Sequence, residues 1–378
     1  MKASPTIAAC LMVRDCAEHL RRCLASLEGQ VDAIYITDTG SVDATVEVAR
    51  SFGAIVRFFP WCDDFSAARN ASLEGVTEDW LLVLDADDAF APGGVATIRP
   101  LLAPGDCAAT VLYRITPSHT PLRATRLFRN GLGCRYEGII HESPGDWLRA
   151  RVRDGWARVD LPVTLSHYGY TADLLPGKAA RNLPLLRREW QRLQSGGSEA
   201  SRFHAGAELG MALAKSGATK ESETWFADLW QRVESADAIP VASRMKVLLC
   251  RLWILKEQGA SCDAVRLALV RSVEGSCGAV PAYQLQRGLI ELECANPESA
   301  VQWLERFHGS IGAAEFEVAV PQEYLGVRLW VMLGQCRMAL KQHGAAAECF
   351  KRCVEMAPGV DEYSLRLRVA ESLELAHT

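Results

Sequence analysis

The order of four short apolar runs constrains the fold of this chain more than any other feature. Residues 7–13 and 80–84 (WLLVL) each read as a buried strand, and residues 32–37 (DAIYIT) and 54–59 as two further strands. Segments of helical period separate them. Cys16, Leu20, Cys23, Leu24 and Leu27 form one apolar stripe, residues 44–52 follow a loop that Asp43 can cap, and residues 65–74 carry Arg69 and Asn70. Asp15, with Glu18 three residues on, has the pattern of an N-cap. This β-α-β-α-β-α-β alternation predicts a parallel sheet of the nucleotide-binding kind, with ligands just beyond the carboxyl ends of its strands. At the end of the fourth run stand Asp85, Asp87 and Asp88. Carboxylates two residues apart are hard oxygen ligands, suited to Mg²⁺ or Mn²⁺ holding a diphosphate. The competing reading is a polar turn that caps the next element.

Length divides the chain. At 378 residues it exceeds one ordinary core, so two domains are expected. A net charge of −5 gives no electrostatic reason to expect nucleic acid or an anionic membrane as partner. The thirteen cysteines are scattered without a CxxC pair, which argues against a zinc or disulfide framework and for reduced core thiols in a cytoplasmic protein. The first residues read as a strand rather than a signal peptide, and no stretch approaches the length of a transmembrane helix.

Several segments resemble, in order and spacing, the family-2 type of nucleotide-sugar glycosyltransferases with the A-type fold. They are Val13-Arg14-Asp15, residues 36–43 (ITDTGSVD), Phe59-Pro60-Trp61, residues 64–70 (DFSAARN) and Asp85-Ala86-Asp87-Asp88. Further on, residues 125–130 (TRLFRN), 136–142 (YEGIIHE) and 166–170 (SHYGY) also match. Asp15 departs from the family's usual Asn, and Asp88 stands where Glu is commoner. From a boundary near residues 171–180 onward no strand pattern survives. Residues 327–360 match the tetratricopeptide pattern through Trp330, Leu333, Gly334, Ala346, Phe350 and Pro358, while Arg337 and Cys353 depart from it. Gly288 with Ala300, and Leu209 and Gly210 with Phe226, echo that register. The whole resembles a bacterial subgroup that includes the peptide S-glycosyltransferases of glycocin bacteriocins. The expected architecture is a Rossmann-like α/β transferase domain over residues 1–175, then an all-α tetratricopeptide-like domain over 176–378 with four or five stacked helix pairs.

The resemblance implies a role for each candidate. Asp87 is the direct metal ligand. Asp85, with Ala86 beside it, lies near the ribose and reaches the metal through water. Asp38 accepts from the uracil N–H, with Asp15 near the same base. Arg69 sits by the base or the diphosphate, or else pairs with Asp63 or Asp64. His167 completes the metal site, with His141 as the alternative. For the general base Glu142 comes first and Asp88 second. Trp61 either stacks on the donor or fills the core. The expected activity is metal-dependent, inverting transfer of a hexose from UDP-glucose or UDP-N-acetylglucosamine to a peptide or protein side chain. The helical domain would recognise a polypeptide on a concave face or serve a homodimer, and its tryptophans (Trp225, Trp230, Trp253, Trp303, Trp330) read as core. The rivals are an envelope transferase using a lipid-linked or polysaccharide acceptor, against which no amphipathic basic helix is found, and a non-catalytic nucleotide-binding scaffold.

Overall fold

The computed structural model describes residues 4–115, 119–169, 175–235, 239–259, 263–312 and 318–377. Tyr170 and part of the expected boundary segment lie outside them. The chain divides into two compact units, Met1–Thr116 with Pro121–Gly196, and Pro117–Thr120 with Gly197–Thr378. The division lies after Gly196, one helix beyond the expected 175/176.

The first unit is built on an eight-stranded sheet. Its strands are β1 (Ile7–Val13), β2 (Ala33–Asp38), β3 (Ile55–Phe58), β4 (Trp80–Leu84), β5 (Asp88–Phe90), β6 (Asp106–Ile115), β7 (Leu122–Arg129) and β8 (Ala157–His167). Their order is β3-β2-β1-β4-β7-β6-β8-β5. The first four are mutually parallel. β7 runs antiparallel to β4 and to β6, β8 parallel to β6, and β5 antiparallel to β8. The chain runs outward from β1 through β2 to β3 and then returns to lay β4 on the other side of β1. That reversal opens a crevice beyond the carboxyl ends of β1 and β4, the position where such sheets bind ligands. Apolar residues fill both strands because both faces are covered: every residue of β4 is buried, as is all of β1 except Met12.

Helices α1 (Ala17–Ala25), α2 (Thr45–Ser51) and α3 (Phe65–Leu73) connect the parallel strands, each within about two residues of its expected limits. α1 buries Leu20, Cys23 and Leu24, the centre of the expected stripe. Its N-terminus corrects one expectation, because Asp15 is not its cap. The Cys16 amide donates to Thr45 Oγ1 at 2.8 Å and that of Ala17 to Asp43 Oδ2 at 3.1 Å, while Asp15 Oδ1 accepts from Val42 N at 2.7 Å. The loops after β1 and β2 thus satisfy each other's amides. A second difference follows β4. The expected helix near residues 93–102 is the short α4 (Gly94–Ile98) with a 3₁₀ turn, Arg99–Leu101, where Pro100 cannot continue the α-helical ladder. α5 (Gly145–Arg153) and α6 (Leu175–Gln194) complete the unit. α6 belongs to this unit through its polar contacts: Glu189 Oε2 accepts from Ile139 N at 3.0 Å and Arg188 donates to the Asp63 carbonyl at 3.3 Å.

The second unit is helical: α7 (Glu199–Lys215), α8 (Thr219–Ser235), α9 (Val241–Glu257), α10 (Asp263–Ser272), α11 (Glu274–Cys277), α12 (Pro281–Glu293), α13 (Pro297–Ser310), α14 (Val327–Ala339), α15 (His343–Met356) and α16 (Asp361–His377). Three of its pairs share one packing device. A Cβ added at Gly210 would stand 2.4 Å from Phe226, at Gly288 2.8 Å from Leu304, and at Gly334 2.6 Å from Phe350. In each pair the glycine and its partner are sixteen positions apart (210 and 226, 288 and 304, 334 and 350), so the same close approach repeats along the stack. Trp230 and Trp303 are core residues as expected, whereas Trp253 is 41% exposed.

Candidate active site

The site forms where β4 stops. Asp85 turns at once into β5: its amide donates to Asp88 Oδ2 at 3.0 Å, and Asp88 N donates back to the Asp85 carbonyl at 3.0 Å. β5 pairs with β8 so that Asp88 lies opposite His167. This register brings His167, 79 residues away in sequence, against the aspartates. Its Nδ1 lies 2.9 Å from Asp88 Oδ1 and 3.3 Å from Asp87 Oδ1. Asp88 is closed off from solvent at 1% exposure and also accepts from Tyr113 OH at 3.2 Å. Burial pushes the His167 imidazole toward neutrality, but the Asp88 hydrogen bond and the charges of Asp87, Asp88 and Asp85 outweigh it and lift its pKa above the usual value. The field that favours a proton on this ring would equally favour a cation beside it.

Two arginines hold Asp85, Arg69 buried and Arg126 half-buried. Arg69 Nη2 lies 2.5 Å from Oδ1 and Arg126 Nη2 3.3 Å from Oδ2. Burial pushes this carboxyl up, yet the two guanidiniums prevail and hold it well below the carboxylate range. Arg69 also reaches Glu142 Oε1 through Nε at 3.2 Å and Nη2 at 3.1 Å, and donates from Nη1 to the Leu84 carbonyl at 3.1 Å. Arg69 pairs with neither Asp63 nor Asp64; Asp64 instead caps α3 by accepting from Ala67 N at 3.0 Å. Glu142 sits on a short hairpin closed by reciprocal bonds between Glu137 and Ser143 and tied at Ile139 to Phe65 N and Glu189. The hairpin holds His141 at φ +56°, a conformation that costs energy outside glycine.

Two cavities meet at this point. One, of about 330 Å³, is lined by Arg14, His19, Thr39, Trp61, Asp87 and His167 among others. The second, of about 440 Å³, is lined by Tyr113, Arg126, Tyr136, His141 and Glu142 among others. Asp85 borders both. His141 therefore lies on the glutamate side, away from the aspartate–histidine group. Asp15 and Asp38 line neither cavity. Asp38 is buried and accepts from the amides of Gly40 and Ser41 at 3.1 Å, fixing the loop that presents Thr39. A larger cavity of about 890 Å³ along α5 and Trp156 includes none of the strand-end residues, so the chemistry directs attention to the smaller pair.

The donor set fits a divalent cation. Ligand atoms of Asp85, Asp88 and His167 lie within 4.8 Å of one another, and Asp87 adjoins them. The chain leaves space there: a Cβ at Gly169 would stand 1.8 Å from Asp87 Oδ2 and 3.0 Å from His167 Nε2. His19 Nδ1, on a residue of the first cavity's wall, is buried without a hydrogen-bond partner, as expected where a polar ligand belongs. Sequence reasoning missed Arg126, Tyr113, His19 and Arg181. Only Arg126 left a signal, as a charged residue in the quoted segment 125–130 whose strand needed a buried partner.

A sheet of this order, with aspartates and a histidine gathered at its reversal point beside two cavities, has the frame of a nucleotide-binding α/β domain. The glycosyl transferase family 2 model matches residues 9–149, and a tetratricopeptide repeat model matches 327–359. A TPR repeat-containing protein of Synechococcus elongatus is 34% identical over 283 residues, covering 72% of this chain and 68% of that one. The SPbeta prophage-derived glycosyltransferase SunS of Bacillus subtilis is 26% identical over 198 residues, or 50% of this chain and 46% of SunS. A structure of glucosyl-3-phosphoglycerate synthase of Mycobacterium tuberculosis, solved with Mn²⁺ and UDP, aligns over 53% of this chain and 83% of its own at 19% identity and a TM-score of 0.38. The chain belongs to the family-2 glycosyltransferases that carry tetratricopeptide repeats, and it is a glycosyltransferase.

Proposed function

We propose that the protein transfers a hexose from a UDP-sugar to a peptide or protein side chain, using Mn²⁺ or Mg²⁺. The observation that carries this reading is the convergence of Asp85, Asp87, Asp88 and His167 at the strand ends, with a cavity on either side. The cavity of Asp87 and His167 takes the donor; the cavity of Glu142 takes the acceptor. Asp87 and His167 would hold the cation, with Asp85 beside them, and the cation would supply positive charge to the departing diphosphate.

The remaining roles belong to the chain itself. Asp88 is a positioning residue: buried, bonded to His167 and to the Asp85 amide, it orients the imidazole rather than accepting a proton from substrate. Glu142 is the base. Arg69 pins its Oε1, while Oε2 has no hydrogen bond among the described residues and can take the acceptor's proton. Asp38 and Asp15 build the loop walls at the base-binding end, and Ala86 leaves room beside the ribose. The polypeptide acceptor follows from the resemblance and from the helical repeats, which offer the extended surface such acceptors need. No helix among the described residues is long and apolar enough to cross a membrane. The same reading places the enzyme in the cytoplasm. A homodimer is compatible with it.

The test is a panel of donors. Purified protein with Mn²⁺ should release nucleoside diphosphate from UDP-glucose or UDP-N-acetylglucosamine and not from GDP or dTDP sugars. Turnover of GDP-hexose alone would contradict the uridine assignment.

A further inference from the structure

Four guanidiniums border the two cavities around Asp85, and three are committed to carboxylates. Arg14 pairs with Asp15 at 3.8 Å. Arg69 pairs with Asp85 and Glu142, while Arg126 pairs with Asp85 and lies over the Tyr113 ring at 4.6 Å. The fourth, Arg181 on α6, is not. Its Nε donates to Asn182 Oδ1 at 2.9 Å, its guanidinium lies over the Phe65 ring at 5.4 Å, and no carboxylate pairs with it among the described residues. Partial desolvation against the cavity walls and the charge of Arg14 lower its pKa from the usual arginine value, though an arginine stays cationic at neutral pH. Its place distinguishes it further. The residues lining both cavities are Met12, Phe65, Asp85 and Arg181. Of these four, Arg181 carries the only positive charge.

We propose that Arg181 is the leaving-group cation of the transfer, a catalytic residue whose guanidinium engages the β-phosphate as the sugar departs. This rests on the reading of the site as a UDP-hexose transferase. Asp87 and His167 would hold the cation that binds the diphosphate, and from there the sugar would point toward the acceptor cavity, with the scissile bond at the junction. There the acceptor's oxygen or sulfur attacks C1, and the C1–O bond breaks with its electron pair remaining on the β-phosphate oxygen. The acceptor's proton passes to Glu142. The products are glycosylated acceptor and UDP, with no change of oxidation state. Asp85 repels the charge gathering on that oxygen, and Met12 and Phe65 are apolar. A guanidinium presents a planar fork that matches phosphate oxygens, and stacking on Phe65 orients it without neutralising it. The reach from His167 on β8 to Arg181 on α6 also gives a reason for α6 to belong to the catalytic unit.

The test uses the full chain with Arg181→Met and Arg181→Lys. The exposed helical position tolerates both, and thermal melts check this directly. UDP-hexose turnover is measured beside UDP affinity by calorimetry, with and without Mn²⁺, and methylguanidinium is added to each variant. Expected for Arg181→Met is a fall in kcat on the order of 10² to 10³, a loss of UDP affinity of less than about tenfold because ground-state binding contributes less, and partial recovery with methylguanidinium. Arg181→Lys should fall between wild type and Arg181→Met. Wild-type turnover in Arg181→Met would overturn the proposal while leaving the donor reading intact. Equal losses in turnover and UDP affinity, without rescue, would also overturn it, since the residue would then serve only binding. A wild-type protein that neither binds UDP nor cleaves UDP-hexose would overturn the donor reading and this proposal with it.

Discussion

Gly169 offers a clean perturbation of the proposed metal site because it lies against Asp87 and His167 without being a candidate ligand. An alanine Cβ there would stand 1.8 Å from Asp87 Oδ2, 2.8 Å from its Cγ and 3.0 Å from His167 Nε2, where ordinary contact begins at 3.4 Å. Gly169 is not among the glycines with positive φ, so the backbone itself accepts alanine at little cost. The strain must be relieved by the Asp87 carboxylate, which has to withdraw by roughly 1.5 Å, with the imidazole shifting less. A displacement of about 1 Å in a reacting constellation costs on the order of 10²-fold in rate, and disturbing the support of a metal ligand costs about 10- to 100-fold in affinity. Gly169→Ala should therefore lower kcat for UDP-hexose hydrolysis by about 10²-fold and raise the half-saturating Mn²⁺ concentration by about 10- to 100-fold. Its thermal melt should stay near that of wild type. The assay is UDP release over a Mn²⁺ titration, with melting followed by circular dichroism. Unchanged kcat and unchanged Mn²⁺ half-saturation in a folded Gly169→Ala protein would refute the placement of Asp87 at the metal.

Two other perturbations separate chemistry from stability. Glu142→Gln should cut transfer to a hydroxyl acceptor by about 10²- to 10⁴-fold and spare UDP binding; a thiol acceptor, with a pKa of about 8.5, should suffer less and recover as pH rises. If Glu142→Gln is fully active and Asp88→Asn is inactive with its metal affinity intact, the base is Asp88. In the helical unit Glu291 is fully buried and accepts from Arg287 Nε at 2.8 Å and Asn296 Nδ2 at 2.9 Å. Burial raises its pKa, but Arg287 and Arg271 outweigh that and hold it below the usual glutamate value. The charge thus adds stability that is fully present above about pH 4.5 and is lost as pH falls through the folded-state pKa. Glu291→Gln should cost about 3 kcal/mol at pH 7, with the gap to wild type narrowing in acid; a gap constant from pH 7 to pH 3 would contradict the ion-pair assignment.

Parts of this molecule were legible because local chemistry alone determines them. β1 and β4 are readable from runs such as Trp80–Leu84, since burial on both faces leaves little room for polar residues, whereas the edge strand β3 keeps Ile55 and Phe58 exposed. The repeat register showed in Gly334 and Phe350 because two helices can approach that closely only at a glycine. β5 was not legible. Three residues, Asp88–Phe90, become a strand only by pairing with β8, a partner far along the chain. α5 carries no expectation from the sequence, since the helix GDWLRARVR buries no residue fully, and β8 enters only through Ser166 and His167 of the segment 166–170. Asp15 has the local pattern of a cap, but its actual partner, the Val42 amide, lies across the fold. The same cause hid the arginines: nothing local to Arg69 or Arg126 shows that both close on Asp85.

The account stands or falls on where the cation sits. Crystals of the full chain grown with UDP and Mn²⁺, measured at the manganese absorption edge, would show it in an anomalous difference map. The predicted result is one strong peak between Asp87 and His167, touching the UDP diphosphate, and its disappearance in Asp87→Ala. UDP bound with no peak at that place, or a peak that persists without the Asp87 carboxylate, would contradict the account.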